Sequence, residues 1–187
     1  MNKPLDVAVL PGSLRKDAYS RKTANALKAL APPTLALDIV EIGQLPLYND
    51  DLDTSTPPAA WVDFRQRIAQ ADAFLFITPE YNRSVPAALK NALDVASRPY
   101  GHNVWAQKPG AIISVSPSAM AAFGANHHLR QSMVFLDIFV MQQPEAYLGN
   151  IGEAFDQTGT LTSERTRAFL QRFIQSFADW TTNFCKD

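Results

Sequence analysis

Ala73-Phe74-Leu75-Phe76-Ile77-Thr78-Pro79-Glu80-Tyr81-Asn82-Arg83-Ser84-Val85-Pro86 sets an apolar run against a polar loop that begins and ends in proline. Such a run reads as a parallel strand buried on both faces. Helix formers follow from Ala87 to Ala96. The unit is therefore strand, loop, helix, with the loop at the carboxyl end of the strand. Open α/β sheets bind flat cofactors at that edge. The two prolines stiffen the loop and leave backbone groups outside regular structure, free to meet the polar edge of a heterocycle. An ordinary strand-to-helix turn has the same outline, so this loop does not settle function by itself.

The same alternation repeats on either side. Leu5 to Leu10 reads as a first strand broken by Pro11-Gly12, and Ser20 to Leu30 as a helix ended by Pro32-Pro33. Leu35 to Ile42 is a second strand, and Pro58 to Ala71 a helix with Trp61, Phe64 and Ile68 on one side. Pro109 to Ser116 is a fourth strand, with a helix from about Ala125 to Phe135 after it. Ile138 to Met141 is a fifth strand. Thr162 to Phe184 is a long helix whose Phe169, Phe173, Phe177, Trp180 and Phe184 form a stripe that packs on the sheet. Five strands alternating with five helices predict an α/β, doubly wound, five-stranded parallel sheet of flavodoxin-like order 2-1-3-4-5. No repeat or linker divides the chain, so residues 1–187 are expected to form one domain. Two long loops, Gly43 to Thr56 and Ser97 to Lys108, carry Leu45, Leu47, Tyr48 and Trp105, which predicts that something covers them.

A chain of 187 residues can bury about 70% of its unfolded surface in one core. Hydrophobic residues make up 47% and charged residues 19%, a globular composition. Seventeen basic residues against eighteen acidic ones give a net charge of -1, which argues against nucleic acid as a partner. The single cysteine, Cys185, rules out an intrachain disulfide and fits a reducing compartment. The first residues lack the apolar core of a signal peptide, and no stretch approaches the roughly twenty apolar residues of a membrane span. A cytoplasmic protein with no membrane partner is expected.

Pro11-Gly12-Ser13-Leu14-Arg15-Lys16-Asp17-Ala18-Tyr19-Ser20 leaves the first strand and enters a helix. Ser13 and Ser20 offer hydroxyls, Arg15 offers a guanidinium, and the helix start favours an anion. Neither the triphosphate loop nor the three-glycine dinucleotide fingerprint is present. A solvated, capped helix start is the competing reading. In a doubly wound sheet this loop, the 79–85 loop and Ser116 to Gly124 share one edge. A phosphate grip beside a rigid cradle suits a ligand with a phosphorylated tail and a flat head, the shape of flavin mononucleotide (FMN).

With these loops in hand, the chain resembles the NAD(P)H-dependent FMN reductase family, and within it the bacterial chromate and quinone reductases. The resemblance rests on Gly12 to Lys16, Pro79 to Asn82 with Ser84 to Pro86, and Leu89-Lys90-Asn91-Ala92, and is extended by His128 to Gln131 and Phe135 to Asp137. It implies that Ser13, Arg15 and Ser20 hold the phosphate with backbone help from Ala18 and Tyr19. It also implies that Pro79, Glu80, Tyr81 and Asn82 line the flavin ring and that Ser116 lies near it. Two departures stand out. Ala18 and Ser20 occupy positions where the family has serine and asparagine, and Gly124 replaces an arginine that belongs to a subunit-contact network in some relatives, although Glu145 remains.

The expected activity is hydride transfer from NAD(P)H through FMN to a small-molecule acceptor such as a quinone. It needs no protein acid or base, so no catalytic side chain is assigned. A homodimer or homotetramer is expected, because Leu45, Leu47, Tyr48 and Trp105 suggest that a second chain closes the site. The rival readings are a non-enzymatic electron carrier, which would want a more strongly charged face than a net charge of -1 provides, and a flavin-binding regulator. Adjacent His127 and His128 diverge on a helix and make no zinc pair, and no Gly-x-Ser-x-Gly elbow is present.

Overall fold

In the computed structural model, which describes residues 3–184, the sheet is parallel and ordered β2-β1-β3-β4-β5. The strands on that path are β1 Leu5–Pro11, β2 Leu35–Ile39, β3 Ala73–Thr78, β4 Pro109–Val115 and β5 Phe139–Val140. A sixth strand, β6 Ala146–Leu148, also pairs with β4. The helices are α1 Tyr19–Leu30, α2 Ala59–Gln70, α3 Ala87–Ala96, α4 Phe123–Phe135 and α5 Glu164–Phe184.

Alternation along each strand sends side chains to two cores. Val7, Val9, Leu75, Ile77 and Ile113 pack with Ala24 and Leu27 of α1 and with Leu170, Phe173 and Phe177 of α5. Ala8, Leu10, Phe74, Phe76 and Ile112 pack on the opposite face with Trp61 of α2, Leu89 of α3 and Leu129 of α4. Every residue of β3 and β4 is buried. The aromatic stripe of α5 is core at Phe173 and Phe177, whereas Trp180 sits at the margin and donates its indole N–H to the Phe139 carbonyl at 3.1 Å.

The fifth position differs in detail from the single strand expected over 138–141. β5 pairs only with Pro109 and Gly110, and β6 takes the rest of that edge along Ile113 to Val115. The chain thus gains an extra connection, 149–152, beside the carboxyl edge of β4. There Ile151 N–H donates to the Ser116 carbonyl at 3.1 Å.

Of the apolar loop residues expected to be covered, Trp105 is fully buried against Phe74 and Phe76. Tyr48 is half-buried over Trp61, with ring centroids 5.3 Å apart. Their own chain covers them, and only Leu47 remains largely exposed, at 74%. Cys185 lies outside the described residues.

Candidate functional site

β1 and β3 are adjacent and in register from Val7 opposite Ala73 to Pro11 opposite Ile77, so their exit loops leave side by side. Gly12 makes the closeness possible. A Cβ there would lie 3.1 Å from both Leu89 Cδ2 and Pro79 Cδ. The first loop then crosses to α1 while the second turns over α3. A contact of 3.2 Å between the Ser13 hydroxyl and the Tyr81 hydroxyl joins the two loops.

Between them and the end of β4 lies a crevice of about 230 Å³. Ser13, Arg15, Ala18, Tyr19, Ser20, Pro79, Glu80, Tyr81 and Ser116 all line it. Asn82 does not. It is exposed in a left-handed turn, with φ 50°. Val115 and Pro117 line the crevice too; Pro117 belongs to the third loop expected at this edge, whereas Val115 was assigned only to the fourth strand, its adjacency to Ser116 being the available signal.

The α1 end of the crevice is built for an anion. Ala18 precedes the helix without a side-chain cap, and the first turn holds no acid. The first amides of a helix have no intrahelical acceptor, so those of Tyr19 and Ser20 are left with the positive end of the helix dipole. Ser20 is 1% exposed, and its hydroxyl oxygen finds no partner among the described residues. A buried unsatisfied hydroxyl costs about 1–3 kcal/mol, a penalty that a bound oxyanion relieves. Arg15 lines the same space and makes no ion pair among the described residues. Tyr19 anchors the loop from outside. The Tyr19 ring passes Gly152 so closely that a Cβ there would sit 2.8 Å from the Tyr19 hydroxyl.

A larger groove of about 690 Å³ lies on the 149–152 segment, lined by Glu145, Glu153, Arg165 and Arg172 among others. Its charges are mixed, and neither Ser20 nor Thr23, whose buried hydroxyls are orphaned among the described residues, lines it. The smaller crevice is the better candidate.

Residues 5–153 match the model of the NADPH-dependent FMN reductase family. The chain belongs to that family. Its relatives include a quinone reductase of Pseudomonas putida, 57% identical over 180 residues and 96% of each chain. A 2-hydroxy-1,4-benzoquinone reductase of a Burkholderia species is 48% identical over 94% of this chain and 96% of its own. Among solved structures, the flavoenzyme NAD(P)H:(acceptor) oxidoreductase FerB of Paracoccus denitrificans superposes with a TM-score of 0.90 at 42% identity, over 96% of this chain and 98% of that one.

As a member of the FMN reductase family the chain works with FMN and NAD(P)H. The residues present suit FMN: an orphaned hydroxyl, an uncapped helix start and an unpaired guanidinium meet at one end of the crevice, and the stiff 79–81 backbone lies at the other. The family positions that differ here remain compatible. Ala18 stands before α1 with no side-chain cap, its own N–H bonded to the Arg15 carbonyl at 3.2 Å, and Ser20 brings a buried hydroxyl to the crevice. Gly124 has a structural reason to be glycine, because a Cβ would stand 2.8 Å from the Arg83 carbonyl oxygen. Glu145 accepts a hydrogen bond from the Tyr147 hydroxyl at 2.9 Å, and that hydroxyl also contacts His127 Nε2 at 3.1 Å. The Arg83 guanidinium is solvated, 73% exposed, and among the described residues reaches only Glu80, at 3.5 Å.

Proposed function

We propose that this protein is an NAD(P)H-dependent quinone reductase that holds FMN in the crevice between the 13–20, 79–81 and 115–117 segments. The orphaned Ser20 hydroxyl at the uncapped start of α1, with Arg15 beside it, carries the reading. Ser13, Arg15 and Ser20, with the amides of Tyr19 and Ser20, hold the phosphate. The Pro79 to Tyr81 backbone lines the ring, and Asn82 contributes through the shape of its turn. Bound FMN supplies the two-electron chemistry between NAD(P)H and the acceptor. No side chain of the crevice is needed as an acid or base. Tyr81, 46% exposed at the mouth, gives a flat acceptor an aromatic surface. The quinone reductases among its relatives support this class of acceptor.

We place the enzyme in the cytoplasm as a homodimer or homotetramer. No helix among the described residues is long and apolar enough to cross a membrane. Val134 and Phe135 of α4 are largely exposed beside a groove of about 490 Å³ between α3 and α4, a surface suited to a second copy. A monomer in sedimentation velocity would remove the assembly. For the activity, purified protein should be yellow and should oxidise NAD(P)H faster when a benzoquinone is added. Tight FMN without turnover would leave a carrier or a regulator.

A further inference from the structure

We propose that Glu80 is a positioning residue: its carboxylate, seated on the amino end of α4, fixes the loop that lines the flavin ring. This rests on FMN occupying the crevice. Glu80 belongs to the ring loop, yet its Oε2 accepts the Ala125 N–H at 3.0 Å, and its side chain is only 13% exposed.

The seat exists because α4 has no cap of its own. Ala122, the residue before it, is left-handed at φ 56° and offers only a methyl group, and the first turn holds no acid. A carboxylate is what such a helix start favours, and here it comes from a loop more than forty residues upstream in sequence, 45 by the separation of the bonded pair. Gly124 leaves room for the approach. A Cβ on it would lie 2.8 Å from the Arg83 carbonyl oxygen and 3.0 Å from Glu80 Oε2, so any larger residue displaces the loop. A second tie follows one turn along, where the Ser84 hydroxyl meets His128 Nδ1 at 2.9 Å.

Between the ties the chain makes a strained turn. Asn82 and Arg83 are both left-handed, with φ 50° and 66°, and Tyr81 and Ser84 exchange backbone hydrogen bonds of 3.0 Å across them. A left-handed arginine persists only where its surroundings hold it. The Glu80 seat supplies that hold before any flavin arrives. Its charge has a second consequence, because Glu80 is among the residues that line the crevice, and a negative charge beside it opposes added electron density on the ring.

Three variants separate seat from charge. In flavin-free protein, Glu80→Ala and Gly124→Ala should speed hydrogen exchange at the Tyr81 and Ser84 amides by about tenfold, the scale of one lost charge-assisted bond. Both should weaken riboflavin and FMN by the same factor, because the phosphate grip is untouched. Glu80→Gln keeps the shape and a neutral acceptor, so it should speed exchange less than Glu80→Ala does while moving the flavin midpoint potential upward. Wild-type exchange and riboflavin affinity in Glu80→Ala and Gly124→Ala would overturn the seat. An unmoved potential in Glu80→Gln would overturn the charge effect. A wild-type chain that binds neither flavin would overturn the crevice reading itself, which the exchange measured without flavin tells apart from failure of the seat.

Discussion

At the scale of single residues, the site divides into groups whose type announces them and groups whose direction does not. Arg15 belongs to the first kind. A guanidinium two residues after Ser13 and just before a helix start suits a phosphate oxygen, and the structure leaves it lining the crevice without an ion pair among the described residues. Arg15→Ala should therefore weaken FMN by about tenfold to a hundredfold, the worth of a charge-assisted bond, and leave riboflavin unaffected. Because Arg15 is exposed, the urea midpoint of the flavin-free protein should not move. Titration of both flavins checks this; equal losses for the two would remove Arg15 from the phosphate. Glu80 and Asn82 are of the second kind. The family resemblance implies that both line the ring, but an irregular loop has no period from which side-chain direction can be read. The left-handed turn leaves Asn82 exposed and outside the crevice lining, and the bare start of α4 draws Glu80 sideways. That Ser20 is orphaned was equally hidden, since burial of one hydroxyl depends on how α1 packs on the sheet.

At the scale of elements, legibility followed length. The fully buried β3 and β4 and the amphipathic helices lie where their apolar patterns put them, because burial on both faces or on one stripe repeats over many residues. The edge beside β4 did not. β5 and β6 have 2 and 3 residues, too few for any periodicity, and their places follow from which carbonyls of β4 remain open. Helix ends are set as locally. α4 stops with Asp137 left-handed at φ 59°, while the Ile138 N–H donates back to the Met133 carbonyl at 3.1 Å. That position favours glycine, and an acid there opposes the helix dipole. Asp137 is exposed, so little packing is lost on truncation, though its carboxylate meets the Gln107 side chain. Asp137→Gly should stabilise the fold by about 0.5–1 kcal/mol after the entropy cost of glycine is subtracted. Urea unfolding would show it as a higher midpoint at constant slope, and a lower midpoint would mean that the Gln107 contact outweighs backbone relief.

At the scale of the whole molecule, a long polar segment is tied down by side chains of two helices, which no local pattern foretells. Asn91 of α3 accepts from the Tyr48 N–H at 2.8 Å and donates to the Leu45 and Pro46 carbonyls at 3.2 and 3.0 Å. Trp61 of α2 donates its indole N–H to the same Pro46 carbonyl at 3.0 Å. Burial, with Asp50 next in importance, pushes the Tyr48 hydroxyl up to about 12. The far end is fixed by Asp53, which takes two hydrogen bonds from Arg65 at 2.7 and 2.9 Å, while Arg65 Nε reaches the Val95 carbonyl at 2.8 Å. The Asp53 and Arg65 side chains are 3% and 14% exposed, so this pair escapes most solvent screening. The Arg65 hydrogen bonds, ahead of any other influence, hold the Asp53 carboxyl below its ordinary range. A carboxylate whose folded pKa is depressed stabilises the fold fully above its unfolded value, about 4, and loses that contribution as pH falls through the folded pKa. Asp53→Asn should cost about 1.5–3 kcal/mol from pH 6 to 8, the worth of hydrogen bonds to a charged group, since it leaves Arg65 without its counter-charge. The gap between wild type and variant should hold steady down to about pH 5 and close progressively below pH 4, where the wild type protonates. Urea midpoints collected across that range decide it. A gap that stayed constant down to pH 2.5 would mean the clamp works by shape and not by charge, and a gap absent at neutral pH would mean that Asn91 and Trp61 hold the loop without it.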